Sequence, residues 1–489
     1  MNKPSVKNLR LWLTSGVAAL AIGLTGCASV ASALGTASST ATSTGTVAAS
    51  TTTTLALAAD HDDSADYSYD AGSVVAIDVS NPTATDGVTV ADGVITITKA
   101  GAYRLSGTLS DGQVVVNTED GGTVHLILDN VSITNADGSA LAVLQSKLTI
   151  VHLAAGSTNT LVDGKTYADT SDDAPSAALF SADDLTITGT GTLNVTGNHN
   201  DGIAGKDGVV ISSGTVTVTA VDDGIRGKDY LVIKGGKVSV TSGGDSLKSD
   251  NDSDQSLGYV SITGGTVSLS SGDDGVDAWT AIGLSGGTTT VTKSVEGLEA
   301  RVITVSGGTT TVTASDDGVN ATDSARTGGD MAAQTNTLLS ITGGKLTVNA
   351  DGDGLDSNGS IAMSGGTVVV SGPTMNGNGA LDYNGTFVVT GGSLLAGGSA
   401  GMAQVPSDTS SLKSLKATVN AAAGATIEVK DSSGTVVATF KATKQTATLV
   451  VTNDKIKAGE TYTVYVNGTA TGTTDTTQAT SAGMGGPRR

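Results

Sequence analysis

Residues 271–279 read SGDDGVDAW. Two aspartates and a glycine precede an apolar residue, a third aspartate and a tryptophan. Related pieces recur along the chain: NHNDGIAGK (198–206), AVDDGIRGK (220–228), SGGDSLKSD (242–250), SVEGLEAR (294–301), ASDDGVNAT (314–322), DGDGLDSN (351–358) and NGNGALDYN (376–384). Aligned on the central turn, Gly202, Gly224, Ser246, Gly275, Gly297, Gly318 and Gly354 share one position, with Ala380 as a looser eighth. The commonest step is 22 residues, and the longer steps carry insertions such as NDSDQSLG. A fixed period of this length is the mark of a stacked repeat.

Each copy continues in the same way. The turn is followed by an apolar residue: Ile203, Ile225, Leu247, Val276, Leu298, Val319, Leu355 or Leu381. A short strand, a GG or SG turn and a second strand come next, as in TVTVTA (215–220), TTTVTA (309–314) and KLTVNA (345–350). Period-two alternation of β-branched residues puts one side of each strand toward a core. A single unit of this size cannot bury that side alone, whereas stacked coils can. The sequence therefore predicts an all-β, right-handed, single-stranded parallel β-helix over residues 111–411. Residues 61–110 read as an N-terminal cap with the first strands. Residues 412–468, with longer strands and more lysine, read as a small antiparallel β unit, either a cap or a separate domain.

The ends have a different texture. Lys3, Lys7 and Arg10 precede the apolar run LWLTSGVAALAIGL (11–24), which is short for a permanent span. LTGC then ends at Cys27, the only cysteine. This order resembles the lipobox of bacterial lipoproteins. The resemblance implies a signal peptide over 1–26, a lipid on Cys27 and a protein held on the outer face of the cell membrane. Residues 27–60 are rich in Ser, Thr and Ala and read as a tether; residues 469–489 read as a disordered tail. The formal charge of −21 and pI near 4.3 disfavour a phosphate-gripping, nucleic-acid-binding surface. They fit a monomer working outside the cell, and the binding of cations.

The turns carry the acid. Asp201, Asp223, Asp245, Asp274, Glu296, Asp317 and Asp353 stand just before the turn position, and Asp277, Glu299, Asn320, Asp356 and Asp382 two residues after it. Stacked carboxylates repel unless something offsets them. Calcium, which takes six to eight oxygens, would do so, with backbone carbonyls freed by the glycine as further ligands. The best windows are Asp273, Asp274 and Asp277; Glu296 and Glu299; Asp316 and Asp317; and Asp351, Asp353 and Asp356. In the earlier coils Lys206, Arg226, Lys228 and Lys248 offer protein charge instead, facing Asp201, Asp223 and Asp245. The alternative is metal-free: Asp-Gly is an ordinary turn former, because Asp bonds nearby backbone. Four dispersed histidines leave transition metals unsupported.

DDGVDA, DDGIRGK and DGDGLDSNG, with the strand pattern ISGGT and the lipobox, resemble a family of secreted bacterial carbohydrate-binding parallel β-helix proteins. Members are similar in fold to pectate lyases and contain calcium. The resemblance implies a binding protein for cellulose-like or acidic (uronic acid) polysaccharide, with the calcium turns carried onto Asp273, Asp274, Asp277, Glu296, Glu299, Asp316 and Asp317. Trp279 and Tyr383 are candidate sugar-stacking residues. Two alternatives stand beside this reading. One is a calcium-dependent polysaccharide lyase with Arg226 or Arg301 as base. The other is an adhesin or spacer that binds no glycan.

Overall fold

Ile203, Ile225, Leu247, Val276, Leu298, Val319, Leu355 and Leu381 stack in a single register through successive parallel strand pairs. All eight are essentially inaccessible to solvent and belong to one continuous apolar core. The ladder expected from the repeat is therefore the spine of a parallel β-helix. The computed structural model describes residues 55–171, 174–325 and 332–478, so Cys27, the signal region and most of the tether lie outside the described residues.

A typical coil has three strands. In one they are Asp201–Gly205, which carries the turn motif, Gly208–Ile211, and Thr215–Ala220. Each pairs in parallel with its counterpart one coil on. Parallel pairing already joins Val75–Asp78 to Gly101–Leu109, so coiling starts within the N-terminal segment. Glycine at the turn position has a packing cause. A Cβ at Gly297 would lie 2.2 Å from Val312 Cγ1 and 2.2 Å from the Gly318 carbonyl oxygen on the next coil.

The segment after residue 412 closes the solenoid. Thr446–Thr452 pairs antiparallel with Ser393–Gly398, the last strand of its ladder, and with Ser414–Ala421. Thr426–Lys430, Val436–Lys441, Thr461–Val466 and Thr469–Asp475 form a four-stranded sheet. A second core gathers around Phe440, Tyr462, Ile427 and Leu449. The unit thus covers an otherwise open strand edge. The tail expected from residue 469 is corrected here. Thr469–Asp475 is a strand, followed by a 3-10 turn to Gln478. Asn467 and Gly468, both at positive φ, make the tight hairpin that produces it, and the Asn-Gly pair was its sequence signal.

Residues 55–69 form a strap on the flank of the coils. The Ala58 N–H donates to the Ser256 carbonyl (2.8 Å), and the Tyr259 hydroxyl to the Ala58 carbonyl (2.9 Å). Asp60 and Asp62 both pair with Lys234, at 2.7 and 3.0 Å. The His61 ring reaches the Tyr230 hydroxyl and Thr186 Oγ1, each at 2.9 Å. Tyr69 packs against the His125–His152 pair several coils earlier. The last residues assigned by composition to the tether are therefore part of the folded body.

Candidate functional site

The strand that carries the turn motif brings its polar residues to one outer face. Its first column holds Asp201, Asp223, Asp245, Asp274, Glu296, Asp317 and Asp353. The carboxylate of one coil accepts the backbone N–H of the next. Asp223 Oδ1 accepts from Asp245 (2.9 Å), Asp245 Oδ1 from Asp274 (2.9 Å), Asp274 Oδ1 from Glu296 (3.0 Å) and Asp317 Oδ1 from Asp353 (2.6 Å). The bracing expected within a turn thus runs between coils. Carbonyls at this turn are also engaged: Asp245 and Gly275 accept N–H groups of the preceding coil. The expected supply of free backbone carbonyls for a metal is corrected accordingly.

The second column, three residues further on, pairs Ala204, Arg226, Lys248, Asp277, Glu299, Asn320, Asp356 and Asp382 in register. It runs from basic to acidic along the axis. Lys248 lies among three carboxylates, 2.5 Å from Asp245, 3.5 Å from Asp223 and 3.6 Å from Asp277. Burial pushes its ammonium down, but the Asp245 hydrogen bond and the three charges more than reverse this and leave its pKa raised. Arg226 departs from the expectation. It forks onto Asp250, with Nη2 to Oδ2 at 2.6 Å, instead of pairing directly with the first column. This fork holds the guanidinium by charge-assisted hydrogen bonds to a single carboxylate.

Beyond Lys248 the acids come together. Three groups place one ligand oxygen from each member within 4.8 Å of the others: Asp245, Asp273 and Asp274; Asp274, Glu296 and Glu299; and Asp317, Asp353 and Asp356. Asp245 belongs to such a group although the repeat assigned it to the lysine-paired coils. Asp277 stands outside the groups, facing Lys248. Asp351 is also outside; it is mostly exposed and pairs with Lys444 of the C-terminal unit at 2.8 Å. Asp316 joins none of the three.

Electrostatics mark the middle group. Asp274 is pushed up to about 8 by burial, with the charges of Asp245, Glu299 and Asp273 adding to it against the Glu296 N–H bond. Burial and the neighbouring Glu299 carboxyl raise Glu296 strongly. Asn320 donates from Nδ2 to Glu296 Oε2 at 2.8 Å, while its own Oδ1 is buried without a hydrogen-bond partner. Register placed Asn320 between Glu299 and Asp356, but only the fold shows the unused oxygen. The donor set is therefore carboxylate and amide oxygen, the hard ligands that calcium takes.

Trp279 is half-buried on the strand of Asp277, two residues along on the same side. Arg301 holds the equivalent place after Glu299, with Nε and Nη2 buried and unpaired. Tyr383 is half-buried and anchored at both ends. Its hydroxyl donates to the Val405 carbonyl at 2.7 Å, and its ring meets Phe387 edge-on.

Comparison with known proteins finds relatives over part of the chain. A carbohydrate-binding domain-containing protein of Acetivibrio thermocellus is 37% identical over 137 residues, which is 28% of this chain and 48% of that protein. The chain thus spans about half the length of this curated relative. The solved structure titled "Structure of the polysaccharide lyase-like protein from C. thermocellum, Gadolinium derivative" is 34% identical, with a TM-score of 0.43, over 45% of this chain and 90% of that one. The family described as carbohydrate-binding domain-containing protein matches residues 91–337, just over half of the sequence. The chain belongs to that family.

Proposed function

We propose that this is a calcium-containing polysaccharide-binding protein, anchored through Cys27 to the outer face of the cell membrane. Its ligand is an extracellular polymer of the cellulose-like or uronic acid type. One observation carries the reading. Asp274, Glu296 and Glu299 converge within 4.8 Å, with two of them raised in pKa and the unpartnered Asn320 Oδ1 beside them. Asp274, Glu296 and Glu299 would hold the ion, and Asn320 could add its amide oxygen. Calcium there would neutralise the buried carboxylates and present positive charge to an acidic sugar, reconciling an acidic protein with an acidic ligand. Asp274 would keep its hydrogen bond to the next coil through one oxygen and offer the other.

The test is binding of polygalacturonate by the full chain, with calcium and then with chelator. Retention that appears only with calcium, and is lost in Asp274→Asn, supports the proposal. Binding insensitive to both would remove calcium from it. The same samples, followed in the ultraviolet for unsaturated uronide, decide whether the protein is a lyase; absence of all glycan binding would favour the spacer.

A further inference from the structure

A cavity of about 460 Å³ opens on the early coils, outside the acidic groups described above. Tyr167 lines it, with Leu144 and Pro175 adding apolar surface. Leu144 is 43% exposed, one of the few large apolar side chains left in solvent among the described residues.

The aromatic residue is held in a fixed place. Tyr167 stacks on His199, with centroids 4.4 Å apart and planes 21° apart. Its hydroxyl donates to Asp163 Oδ2 at 2.8 Å. The loop that carries it is fastened as well. The Ala168 N–H donates to the Asp137 carbonyl at 2.8 Å, and a Cβ at Gly164 would lie 2.0 Å from the Ala136 oxygen, so the two backbones touch. Gln113 and Asn135 both donate to the Ser139 carbonyl, which fixes their amides at the cavity wall.

The polar lining selects the ligand class. Asp92, Asp111, Asp137 and Asp169 contribute acceptors, and among the described residues no lysine or arginine lines the cavity. Asp92 and Asp137 have no side-chain hydrogen bond among the described residues, so their oxygens are open to hydroxyl donors. A polyanion would be repelled here. A sugar without charge would place an apolar ring face on Tyr167 and Leu144 and its hydroxyls on the carboxylates. We propose that this cavity is a second glycan site, taking an uncharged oligosaccharide without calcium. The proposal rests on the carbohydrate-binding reading of the family but not on the acidic turns.

The test uses the full chain in chelator, titrated calorimetrically with uncharged gluco-, xylo- and manno-oligosaccharides. At least one should bind. Tyr167→Ala and Leu144→Asp should each weaken it about tenfold or more. Tyr167→Phe, which keeps the ring, should retain it. Leu144 is exposed, so that variant serves even where Tyr167→Ala fails to fold. No binding across the panel overturns the proposal, as does binding indifferent to both weakening variants. Binding lost in Asp274→Asn would belong to the acidic turns and also overturn it. Loss of calcium-dependent polygalacturonate binding alone would sink only the earlier proposal.

Discussion

Lys248 and Asp277 occupy the same register position on adjacent coils, with ammonium and carboxylate 3.6 Å apart. The second column changes sign between them. On one side the protein supplies its own cation; on the other, carboxylates gather without a lysine at that position.

Replacing Lys248 tests that division. Lys248→Met leaves Asp223, Asp245 and Asp277 without their shared counter-charge. The variant should lose about 3 kcal/mol of stability in chelator, as when one partner of a buried ion pair is removed. Part of that loss should return when calcium is added. Denaturant melts with and without the ion measure both effects.

Asp274→Asn separates charge from shape. The amide oxygen can still accept the Glu296 N–H, so the bond between coils survives. In chelator the variant should be about as stable as the parent, since it also relieves repulsion. At calcium up to about 100 times the parent's Kd, its calcium-induced rise in melting temperature should shrink by half or more, because about tenfold weaker binding removes about 1.4 kcal/mol of stabilisation. An undiminished rise would show that Asp274 is not a ligand.

The pH dependence follows from the sign of the shifts. Asp274 at about 8 and Asp277 at about 7 hold their protons more tightly in the folded chain than in the unfolded one. Between about pH 4 and pH 7 for Asp277, and to about pH 8 for Asp274, the unfolded state has released these protons and the folded state has not. Stability therefore falls as pH rises through that window, and is fullest below it. In chelator the melting temperature should drop by about 2 °C or more from pH 5 to pH 8, and calcium should remove the drop. A flat or rising profile without the ion would contradict this.

Gly297→Ala probes the contact between coils. The added methyl meets Val312 and the Gly318 carbonyl, neither of which can move without displacing a strand. The cost should be about 2 kcal/mol or more. Thermal denaturation would show it, and a cost near zero would mean the coils yield more easily than their packing indicates.

Cys27→Ser addresses localisation. The expectation is release from the membrane fraction into the medium, because the lipid is the only membrane contact proposed. Continued fractionation with membranes would end the anchoring proposal.

The inward ladder was readable because Ile203, Ile225 and Leu247 recur at constant spacing, and parallel stacking turns spacing into contact. The site was readable only in part. Glu296 and Glu299 could be placed by register, and they do converge with Asp274. The direction of each carboxylate was not readable. Asp277 turned to Lys248, and Asp351 to Lys444, a residue 93 positions away. Such choices depend on which cation the fold brings near. The cavity beside Tyr167 left no repeat signal, since it is built by a loop that departs from the period.

The strap has a mechanical consequence. Leu55 packs against the cluster of Tyr230 and Tyr259, part-way along the stack and not at the first coil. Tension carried by the preceding segment would therefore enter from the flank. It would be shared by the Ala58 backbone bond, the Lys234 ion pairs and the His61 contacts before reaching the coil ends. The edges of the solenoid, where unravelling would start, would then be spared the load.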